Sequence, residues 1–442
     1  MARFACALLL LVLVSTPGRA DELSLLDALY PSLDALYQDL HRNPELSLHE
    51  IKTAAKMAAK LKALGFEVTE HVGGNGVVGV LKNGAGPTVL VRTDMDALPI
   101  VEQTGLPYAS TVKTKNDAGE SVGVMHACGH DVHMASWVGA ATLLARAKAS
   151  WHGTLLFVGQ PAEELVVGAE AMVKDGLFTR FPKPDFVVGI HDTQVLPAGK
   201  VGVIGGATSA ASNAVDITFY GQGGHGATPQ RTVDPIVMAA RTVVTLQTIV
   251  SRETSPFDPA VVTVGTFHAG TKRNIIPDEA KIELTVRSFK PEVQKALLAA
   301  IERIAKAEAQ AARAPKEPAV VVQKEASEVV YNDPALTDRL VTVVRKRLGA
   351  ANVIDPLEPT SASEDFGVYG RTAGVPSVFF RIGSSEPGEF EKLKALGQVP
   401  PGPHTAKFAP DRERTIRTGV TTLTLAVLEL LGGSSSAANP PR

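Results

Sequence analysis

TLLFVGQPAEEL (154–165) is an apolar run that stops at a pair of carboxylates, Glu163 and Glu164. Three runs of the same kind, GVVGVL (76–81), TVLVRTDM (88–95) and DFVVGI (185–190), are bounded by Gly and Pro. Unbroken apolar runs of this length read as strands buried on both faces, which is the signature of a mostly parallel sheet. The stretches between them, such as MASWVGAATLLARAKA (134–149), have helical character. The fold class is therefore α/β, a mostly parallel sheet with covering helices. Polar residues collect where the strands end: Asp94 and Asp96 after LVR, the two glutamates after LLFVG, His191 after FVVGI. In open α/β sheets, sites form at the carboxyl ends of strands.

Working outward, Leu23, Leu26, Leu29, Leu33, Leu36 and Leu40 recur at helical spacing, and IKTAAKMAAKLKALG (51–65) reads as a second helix closed by Gly65. After about residue 206 the pattern changes. AVDITFYG (214–221) and KIELTVRSF (281–289) alternate apolar and polar residues, as antiparallel strands with one solvated face do. With AVVTVGTFHAG (260–270), AVVVQKE (319–325) and helices over 232–251 and 292–314, they predict a four-stranded sheet carrying two helices on one face. Beyond 329 the helix-then-strand pattern returns, in LTDRLVTVVRKRLG (336–349) and VPSVFFRIG (375–383). The expected division is thus a first unit built from 21–205 and 329–431, interrupted by a second over 206–328. The polar tail 432–442 is expected to be disordered.

The chain has 442 residues, too many for one compact core, so two domains are expected. A net charge of −2 advertises neither a nucleic-acid nor a membrane surface. The first twenty residues, MARFACALLLLVLVSTPGRA, combine Arg3, an apolar run from Phe4 to Val14, and the small residues Gly18 and Ala20. This pattern predicts a signal peptide cleaved after Ala20. The run is too short to cross a bilayer, which takes about 20 residues. Export to the periplasm or the medium is expected, with no membrane span left after cleavage. Of the two cysteines, Cys6 and Cys128, only Cys128 would survive cleavage, so no internal disulfide can form.

Cys128 stands in MHACGHDVHMA (125–135), two residues from His130 and flanked by His126, Asp131 and His133. Thiolate and imidazole together are what a transition metal needs, and zinc takes both readily. A Cys128 nucleophile with His130 as base is the alternative. The carboxylate pair favours metal-assisted hydrolysis, one glutamate as ligand and the other as general base toward water, because a cysteine hydrolase has no need of both. Asp94 and Asp96, spaced i, i+2, would share a strand face and serve as ligands or hold a ligand histidine. His191 in GIHD and His404 in GPHTA are further ligand candidates, and His225 lies in the glycine-rich GQGGHGATPQ.

These motifs resemble the metallo-aminoacylase and carboxypeptidase family, in particular its amidohydrolase branch of hippurate hydrolases, auxin–amino acid conjugate hydrolases and N-acyl-amino acid deacylases. The matching segments are HRNPELSLHE (41–50), RTDMDALP (92–99), MHACGHDVH (125–133), PAEE (161–164), GIHD (189–192), GGHGATPQRTVDPI (223–236), NIIPDEA (274–280), TVRSF (285–289), SEDFG (363–367) and PHTAKF (403–408). The resemblance implies two divalent metals, zinc or manganese with cobalt or nickel as alternatives, held by Cys128, His130, Glu164, His191 and His404. It implies Glu163 as general base and acid, Asp94 and Asp96 as supports of the ligands, and His225 and Asn274 as contacts to the substrate carboxylate or the developing oxyanion. Arg287 belongs to the inserted unit, which in this family acts as a lid and dimerisation domain, so a homodimer is implied. The implied reaction is hydrolysis of the amide of an N-acyl or N-aroyl L-amino acid, with a dipeptide-cleaving exopeptidase as alternative and an exported, non-catalytic binding protein as a remoter one. Gln230, where a histidine is common, and Ala406, where a proline is usual, depart from the family pattern.

Overall fold

The computed structural model describes residues 22–432; the expected signal peptide and the tail beyond Gly432 lie outside the described residues. The large sheet has eight strands in the order Glu67–Val72, Gly76–Asn83, Gly153–Gln160, Thr88–Asp94, Phe186–Pro197, Ser377–Ser385, Val201–Gly202, Val353–Ile354. Its centre, from Gly153–Gln160 to Ser377–Ser385, is parallel; the first two strands run antiparallel at one edge. Every side chain of Thr88–Asp94 and Ser377–Ser385 is buried, which is why those runs are apolar without alternation.

One face is covered by Leu26–Arg42, His130–Arg146 and Arg412–Leu431, with Leu33, Leu36 and Leu40 of the first helix in the shared core. The other face packs Phe366, Tyr369 and Phe379 against Met172 and Leu177. Gly65, at φ +83, takes the left-handed position just past the Ile51–Ala63 helix.

The four-stranded sheet is antiparallel, in the order Ala260–Ala269, Glu279–Ser288, Ala211–Tyr220, Ala319–Ser327. Ala211–Tyr220 alternates buried and half-buried residues along its length. Its inward Val215, Ile217 and Phe219 meet the Pro235–Thr248 and Pro291–Ala311 helices in a separate core, each contributing roughly 1.5–3 kcal/mol. The chain passes between the units at Gly206–Ser209 and Val330–Asn332, which pair antiparallel.

Two local expectations are corrected. The helix expected from Met134 begins at His130 and ends at Arg146. Gly129 at φ +78 turns the chain directly into it, and Asp131 lies in its first turn, where an acid favours helix initiation. Asp94 and Asp96 do not share a strand face, because the strand ends at Asp94 and Asp96 lies in the irregular segment that follows.

Candidate active site

The carboxyl ends of two parallel strands, the middle of the Phe186–Pro197 strand and the first turn of the His130–Arg146 helix converge on one cluster, buried except at His404. The ligand atoms of Cys128, His130 and His191 lie within 4.8 Å of one another, as do those of Cys128, Glu164 and His404, and those of His130, Glu163 and Glu164. Cys128 Sγ is 3.5 Å from His191 Nε2, and His404 Nε2 is 3.2 Å from Glu164 Oε2. All five ligand candidates and Glu163 are thus brought together.

Both buried histidines are oriented the same way. His130 Nδ1 lies 2.8 Å from the Asp96 carbonyl oxygen, and His191 Nδ1 lies 2.7 Å from that of Asp192. A carbonyl only accepts, so each Nδ1 carries the proton and each Nε2 presents a lone pair to the cluster. His130 Nε2 and Glu164 Oε1 are buried with no hydrogen-bond partner among the described residues. Orphaned acceptors beside a thiol and a second carboxylate are a donor set that fits divalent metal of the zinc or manganese type.

His133, one turn along the helix, is engaged differently. Its Nδ1 is 2.7 Å from Asp94 Oδ1, and its Nε2 meets the Asp192 backbone N–H at 2.9 Å. Asp94 also accepts from Arg92 Nη1 at 2.6 Å and lies 3.7 Å from His130 Nε2. Asp96 accepts from Ser47 Oγ at 2.6 Å and from the Glu164 N–H at 3.0 Å, and so ties the glutamate turn to the His130 carbonyl contact.

The backbone is strained where it aims these groups. Ala162, Val166 and His404 have φ of 49°, 56° and 65°, conformations that cost non-glycine residues and that persist where the surroundings enforce them. The Ala162 N–H donates to Glu50 Oε1 at 2.8 Å, and the His404 N–H to the Ala127 carbonyl at 2.7 Å. Gly129 permits the Cys128–His130 spacing, because a Cβ there would stand 2.2 Å from Asp192 Oδ1.

Burial, with Glu364 and Glu164 close by, pushes the Glu163 carboxyl well above the ordinary range. Burial also pushes the Cys128 thiol up.

His225 and Asn274 sit together in the smaller unit, where the Gly226 N–H donates to the Asn274 carbonyl at 2.9 Å. Both are exposed, and among the described residues neither hydrogen-bonds to the cluster. The single chain therefore leaves them outside the site. Arg287 reaches across instead and donates to Ser363 Oγ.

Several participants had no role assigned from the sequence. Glu50 is fully buried beneath the glutamate turn. Arg92 donates to Gln160, Asp94, Glu364 and Asp365. The segments HRNPELSLHE, RTDMDALP and SEDFG contain Glu50, Arg92, Glu364 and Asp365, so the motifs marked the places without the roles.

The family model described as "Peptidase family M20/M25/M40" matches residues 90–395. The chain belongs to the M20/M25/M40 peptidase family. Among its M20 relatives, the hippurate hydrolase of Campylobacter jejuni is 40% identical over 338 residues, 76% of this chain and 84% of that protein. Thermostable carboxypeptidase 2 of Saccharolobus solfataricus is 34% identical over 378 residues, 85% and 89% of the two chains. The crystal structure of the Bacillus subtilis YXEP protein, described as a dinuclear metal binding peptidase from the M20 family, superposes with a TM-score of 0.74 at 30% identity, covering 92% of this chain and all of that one. Like these M20 relatives, the chain is a metal-dependent hydrolase acting on amides.

Proposed function

We propose that this M20 protein hydrolyses the amide bond of N-acyl or N-aroyl L-amino acids with two divalent ions held by Cys128, His130, Glu164, His191 and His404. The observation that carries this reading is the buried Glu163 carboxylate, set 3.7 Å from His130 Nε2 beside a donor set that fits metal. Divalent ions at this place supply Lewis acidity toward an amide carbonyl and toward water. Glu163 takes the proton of the attacking water and returns it to the departing amine nitrogen. His130 and His191 keep their donor atoms aimed through the Asp96 and Asp192 carbonyls. Asp94 and Asp96 hold the frame around them.

In this reading residues 206–328 form a lid, and His225 and Asn274 reach a substrate carboxylate or oxyanion in a homodimer. Their exposure in the single chain supports a role completed by closure or by a partner. Zinc or manganese suits the mixed donors, and cobalt or nickel fits as well. Residues 1–20 act as a signal peptide, and the enzyme works in the periplasm or outside the cell. Among the described residues no helix is long and apolar enough to cross a membrane.

The test is Glu163→Gln in metal-replete protein. The expected result is a loss of roughly 10²–10⁴-fold in turnover with metal content equal to the unaltered enzyme. Near-normal turnover would remove Glu163 as the proton carrier. Comparing N-acyl amino acids with dipeptides in the same assay separates the amidohydrolase from an exopeptidase.

A further inference from the structure

Arg381 lies in the Ser377–Ser385 strand, paired in parallel register with His191. Register partners in a parallel pair point to the same face, so the Arg381 side chain leaves the sheet on the side of the metal-ligand candidate. Its guanidinium sits over the Phe379 ring at 5.2 Å; that ring is 6.3 Å from His191 and stacks on Phe366 at 4.5 Å. Arg381 is only 9% exposed. Among the described residues its side chain has neither a hydrogen bond nor an ion pair.

Arg92 provides the contrast. It is more deeply buried, at 1% exposure, and four donor contacts satisfy its guanidinium. A buried guanidinium without a partner costs free energy that a folded chain ordinarily avoids. Glu163, Cys128, Asp192 and Glu364 are near enough to act on Arg381 through their charge, so the group faces the reaction centre without being bonded to it. What remains free is a planar fork of donors over an aromatic floor, the geometry that receives a carboxylate with two parallel hydrogen bonds.

We propose that Arg381 is a specificity-determining residue that binds a second carboxylate of the substrate, so that the enzyme prefers dianionic N-acyl amino acids. This rests on the amidohydrolase reading above, in which His225 and Asn274 receive the α-carboxylate. The second carboxylate belongs either to the amino-acid side chain or to the acyl group.

Two isosteric pairs separate these sources: N-acetyl-L-glutamate against N-acetyl-L-glutamine, and N-succinyl-L-alanine against its terminal amide, N-succinamoyl-L-alanine. kcat/KM is measured for all four with the unaltered enzyme, Arg381→Met and Arg381→Lys, each with bound metal and melting temperature recorded. The expected result is a preference for the charged member of one pair by roughly 10- to 100-fold, the scale of a buried charge-assisted contact. The pair that shows it identifies the source. In Arg381→Met that ratio collapses toward one, chiefly through KM, and in Arg381→Lys part of it survives. Equal kcat/KM within both pairs for the unaltered enzyme overturns the proposal without any variant having to fold. It is also overturned if Arg381→Met lowers both members of each pair alike, since Arg381 would then only balance Glu364 and its neighbours. Cleavage of N-acetyl-L-alanine checks the underlying reading separately. No cleavage of it or of any of the four others removes both ideas, while cleavage without charge preference removes this one alone.

Discussion

Replacing Arg92 by Leu should destabilise the protein in a way that depends on pH with a defined sign. The guanidinium donates to Gln160 Oε1 at 2.9 Å, Asp94 Oδ2 at 2.6 Å, Glu364 Oε1 at 2.9 Å and Asp365 Oδ1 at 3.2 Å, all buried. Removing one side of a buried ion pair costs about 3–5 kcal/mol, because the abandoned charge cannot be resolvated. The four contacts share one cation, so they are not additive, and we take ~4 kcal/mol as the effect. For a chain of this size that is a fall on the order of 5–10 °C in melting temperature. Burial, with Glu364 beside it, holds Asp365 at about 7 even with Arg92 present. Without the arginine it must rise further. A carboxyl whose folded pKa exceeds its unfolded value binds protons preferentially in the folded state, so the penalty of ionising it fades as pH falls through the folded pKa. The deficit of Arg92→Leu against the unaltered protein should therefore be larger at pH 8 than at pH 5.5 in paired calorimetric scans. Arg92→Lys, which keeps a charge but loses the fork, should fall between them. Equal melting of all three proteins, or a deficit that grows toward pH 5.5, would refute the reasoning.

His41 gives a second pH signature, far from the ligands in sequence. It is buried between Asp131 Oδ2 at 2.6 Å and Glu102 Oε1 at 3.1 Å, with the Tyr37 and Tyr108 rings beside it and Arg412 over Tyr108. Burial opposes its charge, but the two carboxylates win and raise it to about 9. Its contribution, about 3 kcal/mol, should be complete below the unfolded pKa of about 6.5 and be lost as pH rises through 9. Urea titrations of the unaltered protein and His41→Gln should converge across that window, and a constant gap would contradict the assignment. Gly129→Ala should lose metal and activity together, since its Cβ would stand 2.2 Å from Asp192 Oδ1 at a φ of +78. Retention of full metal content by dialysed Gly129→Ala protein would show that the turn can relax.

What the sequence reveals about this site depends on how local the cause is. Burial on both faces leaves an unbroken apolar run, so the central strands can be read directly, and the carboxyl ends of two mark Asp94 and Glu163, whereas the strand expected to stop before His191 runs on to Pro197. The density of imidazole and thiol at 125–133 points to metal, but it cannot divide the labour between His130 and His133. Both stand on the first turn of one helix, and only Asp94 and the Asp192 amide, which engage both nitrogens of His133, distinguish them. The Arg412–Leu431 helix escapes a reading by apolar periodicity for a different reason. Its buried side carries Thr415, Thr418 and Thr422, whose hydroxyls donate to the carbonyls of Asp411, Arg414 and Thr418 one turn back. A threonine satisfied by its own helix can be buried like an apolar residue of similar shape, so a polar spelling conceals a core face. Arg92 and Arg381 show the limit most clearly. Each is a single arginine in an apolar strand, and only Asp94, two residues from Arg92, hints locally that they differ. Partners from the 364–365 loop neutralise the first, some 270 positions away, and leave the second bare. A charge in a buried strand thus announces that a partner exists. Whether that partner is the protein or its substrate depends on how the rest of the chain folds around it.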